Sequence, residues 1–120
     1  MAGELTPLTL IPRYTTYSGT ASYTTIALEV TAFEKAIVNI FRNAMLGSVG
    51  NPAYNLEESS DQVLWSVCAG TGADFNPPAG TETQYNATLT KRWFRIRLAL
   101  PYPDNVLTCY AVGFLEERLS

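Results

Sequence analysis

The sequence predicts an all-β protein, an antiparallel β-sandwich or jelly roll of about seven or eight short strands with an extended N-terminal arm. Three observations predict it. Apolar and polar residues alternate with a period of two in several separate stretches, most cleanly over 91–100. Clusters of Gly, Pro, Asn, Asp and Ser divide those stretches at short intervals. The composition is 47% hydrophobic but only 16% charged, with seven Tyr, so the surface is finished with Thr, Ser, Asn and Tyr more than with ions. A chain of 120 residues suits one domain and buries roughly two-thirds of its unfolded surface.

Residues 1–24 read as the arm and 25–120 as the sandwich. The arm is rich in Thr and carries Pro7 and Pro12, Tyr14, Tyr17 and Tyr23, with Glu4 and Arg13 its only charges. Pro12 excludes a helix interior, and Leu8-Thr9-Leu10-Ile11 is short and β-prone. Its unpaired backbone and apolar side chains must lie on its own domain or on a neighbour.

Thr24 to Val30 alternates, with Ile26, Leu28 and Val30 on the inner side. Over residues 33–46, Phe33, Ala36, Ile37, Ile40, Phe41, Ala44 and Met45 fit a helical period, with a capping box at Thr31 to Glu34 and Gly47 as a stop. The β-branched and aromatic run Ile37 to Phe41, and the need of Tyr54 to Leu56 for a hairpin partner, favour a strand, and a strand is the reading adopted. Tyr54 to Glu58, a Ser59-Ser60-Asp61 turn and Val63 to Val67 form the central hairpin. Residues 69–80 are a Gly- and Pro-rich loop, and Gln84 to Leu89 is a strand. Lys91 to Leu100 is another, with Phe94, Ile96 and Leu98 inward and Trp93, Arg95 and Arg97 outward. A turn at 101–105 leads to a last apolar strand, Val106 to Glu116. The expected core is Ile26, Leu28, Leu56, Val63, Trp65, Phe94, Ile96, Leu98, Val112 and Phe114.

The residues give no sign of catalysis. There is no histidine, hence no Ser-His or Cys-His arrangement and none of the commonest metal ligand. Cys68 and Cys109 lack basic neighbours and a metal-ligand spacing, and are expected buried and reduced. Gly70-Thr71-Gly72 has no following Gly-Lys, so it is not a phosphate loop. Glu57, Glu58, Asp61 and Asp74 fall short of the six or more oxygens that Ca²⁺ takes. No enzyme activity, cofactor or metal is expected. A net charge of −3 opposes nucleic-acid binding, and no apolar run approaches the roughly 18 residues of a membrane span. The N-terminal residues lack a secretory pattern, so synthesis in a cytoplasm is expected.

Two surface features bear on binding. Lys91, Trp93, Arg95 and Arg97 form a basic and aromatic stripe, which either docks a partner, touches nucleic acid, or is ion-paired across the sheet with Glu57, Glu116 or Glu117. Tyr14, Tyr17, Tyr23, Tyr54, Tyr85 and Tyr102 either stack sugars or are ordinary cross-strand residues.

The run Phe33 to Ile40, then Leu56-Glu57-Glu58-Ser59-Ser60-Asp61-Gln62-Val63-Leu64-Trp65, then Thr90 to Leu98, resembles small β-sandwich structural proteins of tailed bacteriophages over roughly residues 26–115. In them a strand leads into a hairpin with Ser, Asp-Gly and Trp, followed by a Lys- and Arg-bearing strand. Gln62 stands where that pattern has Gly. The resemblance implies a virion protein, either a capsid decoration or a head or tail accessory, that contacts capsid or other virion proteins; the arm and the exposed sheet faces add the expectation of a homo-oligomer. The contacts are expected at Leu8, Leu10, Ile11, Tyr14 and Tyr17 of the arm and at Trp93, Arg95 and Arg97 of the stripe. The alternative is a carbohydrate- or receptor-binding module.

Overall fold

The computed structural model describes residues 3–119, and those residues form nine strands and no helix. The strands are β1 (Leu5–Ser18), β2 (Ser22–Thr24), β3 (Leu28–Glu29), β4 (Phe33–Arg42), β5 (Ala53–Ser59), β6 (Ser66–Val67), β7 (Thr83–Thr88), β8 (Trp93–Ala99) and β9 (Val106–Glu117). They make two antiparallel sheets packed face to face. One runs β1-β9-β4-β7; the other runs β2-β8-β5-β6, with β3 also on β8. The pairing is nested: β1 with β9, β2 and β3 with β8, β4 with β7, and β5 with β6. The all-β antiparallel sandwich is the class that the alternation predicted.

β4 carries the period of a strand in its burial, with Ala36, Val38, Ile40 and Arg42 buried and the residues between them partly exposed. Its inward side chains meet Leu107, Cys109, Ala111 and Leu115 of β9, and the opposite sheet supplies Tyr54, Leu56, Phe94, Ile96 and Leu98. At roughly 25 cal/mol per Å² of apolar surface removed from water, this shared core is the main force holding the two sheets together.

The leading stretch is a strand of this domain. β1 pairs with β9 from Leu5↔Glu116 to Ser18↔Val106, and Leu8, Leu10 and Ile11 are buried at 6%, 9% and 1% exposure. Their expected place at a partner contact is therefore corrected: these side chains fill the protein's own core. β1 is an edge strand, where the missing N–H groups of Pro7 and Pro12 break no central ladder.

Five of the expected core residues lie elsewhere. Ile26 is 82% exposed because the Thr25 hydroxyl accepts the Ile96 N–H at 3.0 Å, in place of a backbone carbonyl. That substitution breaks the ladder between β2 and β3 and turns Ile26 outward. Val63 is 76% exposed, since the hairpin turn is longer than its Ser and Asp cluster alone implied. The Ser59 hydroxyl accepts the Asp61 and Gln62 N–H groups, the Asp61 carboxylate accepts those of Val63 and Leu64, and Gln62 sits at φ 63°. Those bonds hold the Asp61 carboxyl below its usual range and put Val63 and Leu64 at the tip of the turn. Trp65 is half-buried on the outside, and Val112 and Phe114 face outward because β9 turns Cys109, Ala111, Gly113 and Leu115 inward.

Tyr54 is fully buried, stacked on Phe75 with ring centroids 6.0 Å apart, and its hydroxyl has no hydrogen-bond partner. The neighbouring Cys109 thiol is a weak donor and acceptor and leaves it unsatisfied, while burial pushes the phenol far above its ordinary range. Removing an unpaired buried hydroxyl removes its desolvation cost. Tyr54→Phe is therefore expected to raise the unfolding free energy by about 1 kcal/mol in urea titrations. A loss of similar size would show that the hydroxyl has a partner.

Candidate protein-contact face

The two outer faces of the sandwich differ in chemistry. On the β8 side the stripe closes on itself. Glu57 of β5 stands opposite Arg95 in register, and its two oxygens take the Nε groups of Arg95 at 3.0 Å and of Arg97 at 3.2 Å. The Arg95 guanidinium lies 3.9 Å from the centre of the Trp65 ring, and that of Arg92 lies 5.2 Å from the centre of Trp93. Glu57 is almost wholly covered, with 8% of its side chain exposed. Of the three readings of the stripe, the ion-paired face describes Arg95 and Arg97; Trp93 stays partly exposed beside them.

The outer face of the four-stranded sheet is apolar through its middle. Register places Ile37 beside Phe114, Asn39 beside Val112 and Phe41 beside Tyr110, while β1 adds Pro7 next to Phe114 and Thr9 next to Val112. The Phe41 and Tyr110 rings stack at 5.4 Å with 12° between their planes. Phe114 is 40% exposed. Charge appears towards the ends: the ion pair of Lys35 and Glu116 at one, with N–O at 3.9 Å, and at the other Arg13 and Glu82, each of which contacts Tyr110.

An irregularity in β1 builds the second end. Between Ile11↔Ala111 and Thr15↔Cys109 the strand carries extra residues, Tyr14 takes φ 66°, and the Thr15 hydroxyl donates to the Pro12 carbonyl at 2.7 Å. Pro12 has no N–H to lose there. The bulge lays the Arg13 guanidinium 4.3 Å from the centre of the Tyr110 ring and leaves Tyr14 86% exposed. Arg13, Tyr14, Phe41, Asn43, Thr108 and Tyr110 line a cavity of about 390 Å³. The Tyr110 hydroxyl donates to Glu82, whose carboxylate pushes the phenol up.

The structure brings together a different set from the one expected. Tyr14 belongs to this face; Tyr17 is half-buried against Tyr23 with centroids at 4.7 Å. Tyr54 and Tyr85 flank Phe75 inside the fold, and Tyr102 lies in the loop before β9, so the tyrosines do not form one sugar platform. Of the face residues, sequence reasoning assigned Val112 and Phe114 to the core and gave Ile37, Phe41 and Tyr110 no role at a contact. Their signal was present, because β4 and β9 are apolar at consecutive positions and hence on both sides.

Both thiols are free and buried. Burial, with Glu58 and Glu57 nearby, pushes Cys68 up to about 12, and burial also raises Cys109. Among the described residues no group of three or more His, Cys, Asp or Glu is placed to hold a metal ion. No helix among them is long and apolar enough to cross a membrane. Comparison with models of known protein families, with curated proteins and with solved structures returns no match.

Proposed function

We propose that this protein is a structural assembly component of a virus particle, a capsid decoration or head or tail accessory subunit, acting through protein–protein contacts. One observation carries the contact: Ile37, Phe41, Tyr110, Val112 and Phe114 share the outer face of one sheet with no ion pair among them, whereas the other face is closed by Glu57 and its arginines. Interfaces deplete charge and enrich aromatic residues in just this way. The nested strand pairing supports the reading further, since it is the winding order of a jelly roll, an architecture common in shell subunits. The sequence resemblance to phage β-sandwich proteins supplies the virion context.

The occupant of the face is a second copy of this chain. Each end of the face carries one cation and one carboxylate, so two copies meet without a like-charge clash. In this reading the resulting oligomer is the unit that docks on capsid or other virion proteins, and the virion is its location. The test is sedimentation of the wild type against a Val112→Lys, Phe114→Lys double variant. Both positions face outward, so the fold is kept. The expected result is an oligomer that the variant turns into monomer. A wild type monomeric at every concentration, or a variant of unchanged mass, would refute the contact.

A second reading, a carbohydrate-binding module, is favoured by the cavity beside Tyr110, where an aromatic ring and a guanidinium lie together. Binding on a glycan array that Tyr110→Ala abolishes, by a protein that stays monomeric, would select it.

A further inference from the structure

Away from the contact face, at the end of the sandwich formed by the turns before β4, after β5 and before β8, three cationic side chains converge. Lys91 and Arg92 come from the turn between β7 and β8, and Arg118 follows β9. With Thr31, Ser60 and Thr90 they line a cavity of about 400 Å³. The chain holds only eight Lys and Arg and carries a net charge of −3, so this gathering does not follow from a basic composition.

None of the three has a carboxylate partner among the described residues, where the ion pairs are Lys35 with Glu116 and Glu57 with Arg95 and Arg97. Neutral groups position them instead. The Lys91 ammonium donates to the Ser66 hydroxyl at 3.0 Å. Arg118 donates to the carbonyls of Phe33 at 2.9 Å and Leu89 at 3.4 Å, and Arg92 rests over Trp93. Two carboxylates brace the backbone of the turns that line the cavity. Buried Glu58 accepts the Thr90 N–H, the Thr90 hydroxyl and the Lys91 N–H at 2.8, 2.9 and 3.1 Å, which fixes the turn that presents Lys91 and Arg92. Glu29 accepts the Thr31 N–H at 3.0 Å.

We propose that this cavity binds a tetrahedral oxyanion with three free oxygens, the phosphate or sulfate group of a monoester. Guanidinium groups match its oxygens bidentately and the ammonium adds a point charge. The cations approach from two separate segments of the chain, which suits an anion with three free oxygens better than a two-oxygen carboxylate. The Ser60 hydroxyl adds a neutral donor, and the open volume leaves room for the carbon skeleton of the ester. The site is independent of the assembly reading, because none of its residues lies on the contact face.

The test is an amide NMR titration of the full chain with inorganic phosphate, inorganic sulfate, glucose 6-phosphate and glucose 6-sulfate, repeated on Arg92→Gln and on Arg97→Gln as a control. Arg92 is exposed, its side chain makes no hydrogen bond, and its carbonyl's bond to the Val30 N–H survives substitution, so its variant keeps the native fold. The expected result is saturable shifts confined to Thr31, Ser60, Thr90, Lys91, Arg92 and Arg118. Arg92→Gln weakens the affinity about tenfold or more and Arg97→Gln leaves it unchanged. The tighter of the two esters identifies the source of the anion. Absence of saturable shifts, shifts spread over every cation of the surface, or an affinity that Arg92→Gln leaves intact would each overturn the proposal. Binding only to a single-stranded oligonucleotide, added as a last probe, would overturn it in favour of nucleic acid.

Discussion

Gly113→Ala is expected to remove about 4 kcal/mol or more of stability, enough to leave a domain of ordinary stability marginal or unfolded at 25 °C. A Cβ at this position would stand 1.8 Å from the carbonyl oxygen of Ile37, 2.9 Å from its carbonyl carbon and 3.2 Å from the Cα of Val38. All three are backbone atoms of β4, so no rotamer change relieves the clash and the central strand pair of the sheet must part. Overpacking that side chains can absorb costs roughly 1–3 kcal/mol, and a backbone clash exceeds that range. Because the clash is with Cβ itself, Gly113→Val is expected to be no milder. Urea unfolding followed by tryptophan fluorescence measures it. A Gly113→Ala midpoint close to the wild type would show that β4 and β9 are not this close.

Glu58→Ala carries the second large effect, a loss of about 3 kcal/mol, because it removes one acceptor and leaves three donors of a part-buried turn unpaired at once. Glu58 is 5% exposed and all three of its partners sit on residues 90 and 91, the turn into β8. Glu58→Gln retains one acceptor oxygen and opposes an amide N–H to the remaining donors, so its expected cost is smaller, about 1.5 kcal/mol. The check is paired: urea midpoints for the two variants, and hydrogen exchange at the Thr90 and Lys91 amides, which the account expects to accelerate more in Glu58→Ala. Equal and small effects of both variants would mean that water replaces the carboxylate without loss.

Two ambiguities in the sequence have one physical cause. Residues 33–46 fit a helical period and a strand because β4 is apolar on both sides: Ala36, Val38 and Ile40 face the core, and Ile37 and Phe41 face out. The side of β9 facing inward was misjudged for the same reason, since Val112 and Phe114 are as apolar as Leu107 and Leu115. A strand with one wet face announces its parity; a strand with two apolar faces does not. The outer apolar face thus hid itself from a reading based on alternation. β8, with arginines on one side, was legible down to individual residues: Phe94, Ile96 and Leu98 are all in the core.

Other features needed tertiary partners to become visible. That the Thr25 hydroxyl accepts the Ile96 N–H follows from pairing across 71 positions, so nothing local marks Ile26 as exposed. The cavity of Lys91, Arg92 and Arg118 is assembled from turns far apart in sequence, and only the dipeptide Lys91-Arg92 was conspicuous. The turn at Ser59 to Asp61 was read correctly in kind, but its side-chain bonds extend it to Leu64, which moves Val63 from the core to the tip.

The central claim is that the face of Val112 and Phe114, and not the face of Trp93, is where copies of this chain meet. A photo-activated benzoylphenylalanine placed at residue 114, and in a separate preparation at residue 93, tests it directly. Irradiation is predicted to give covalent dimers from the residue 114 protein, with the cross-link mapped to β4 or β9 of the second copy, and none from the residue 93 protein. Dimers from residue 93 alone, or from neither position, would contradict the account.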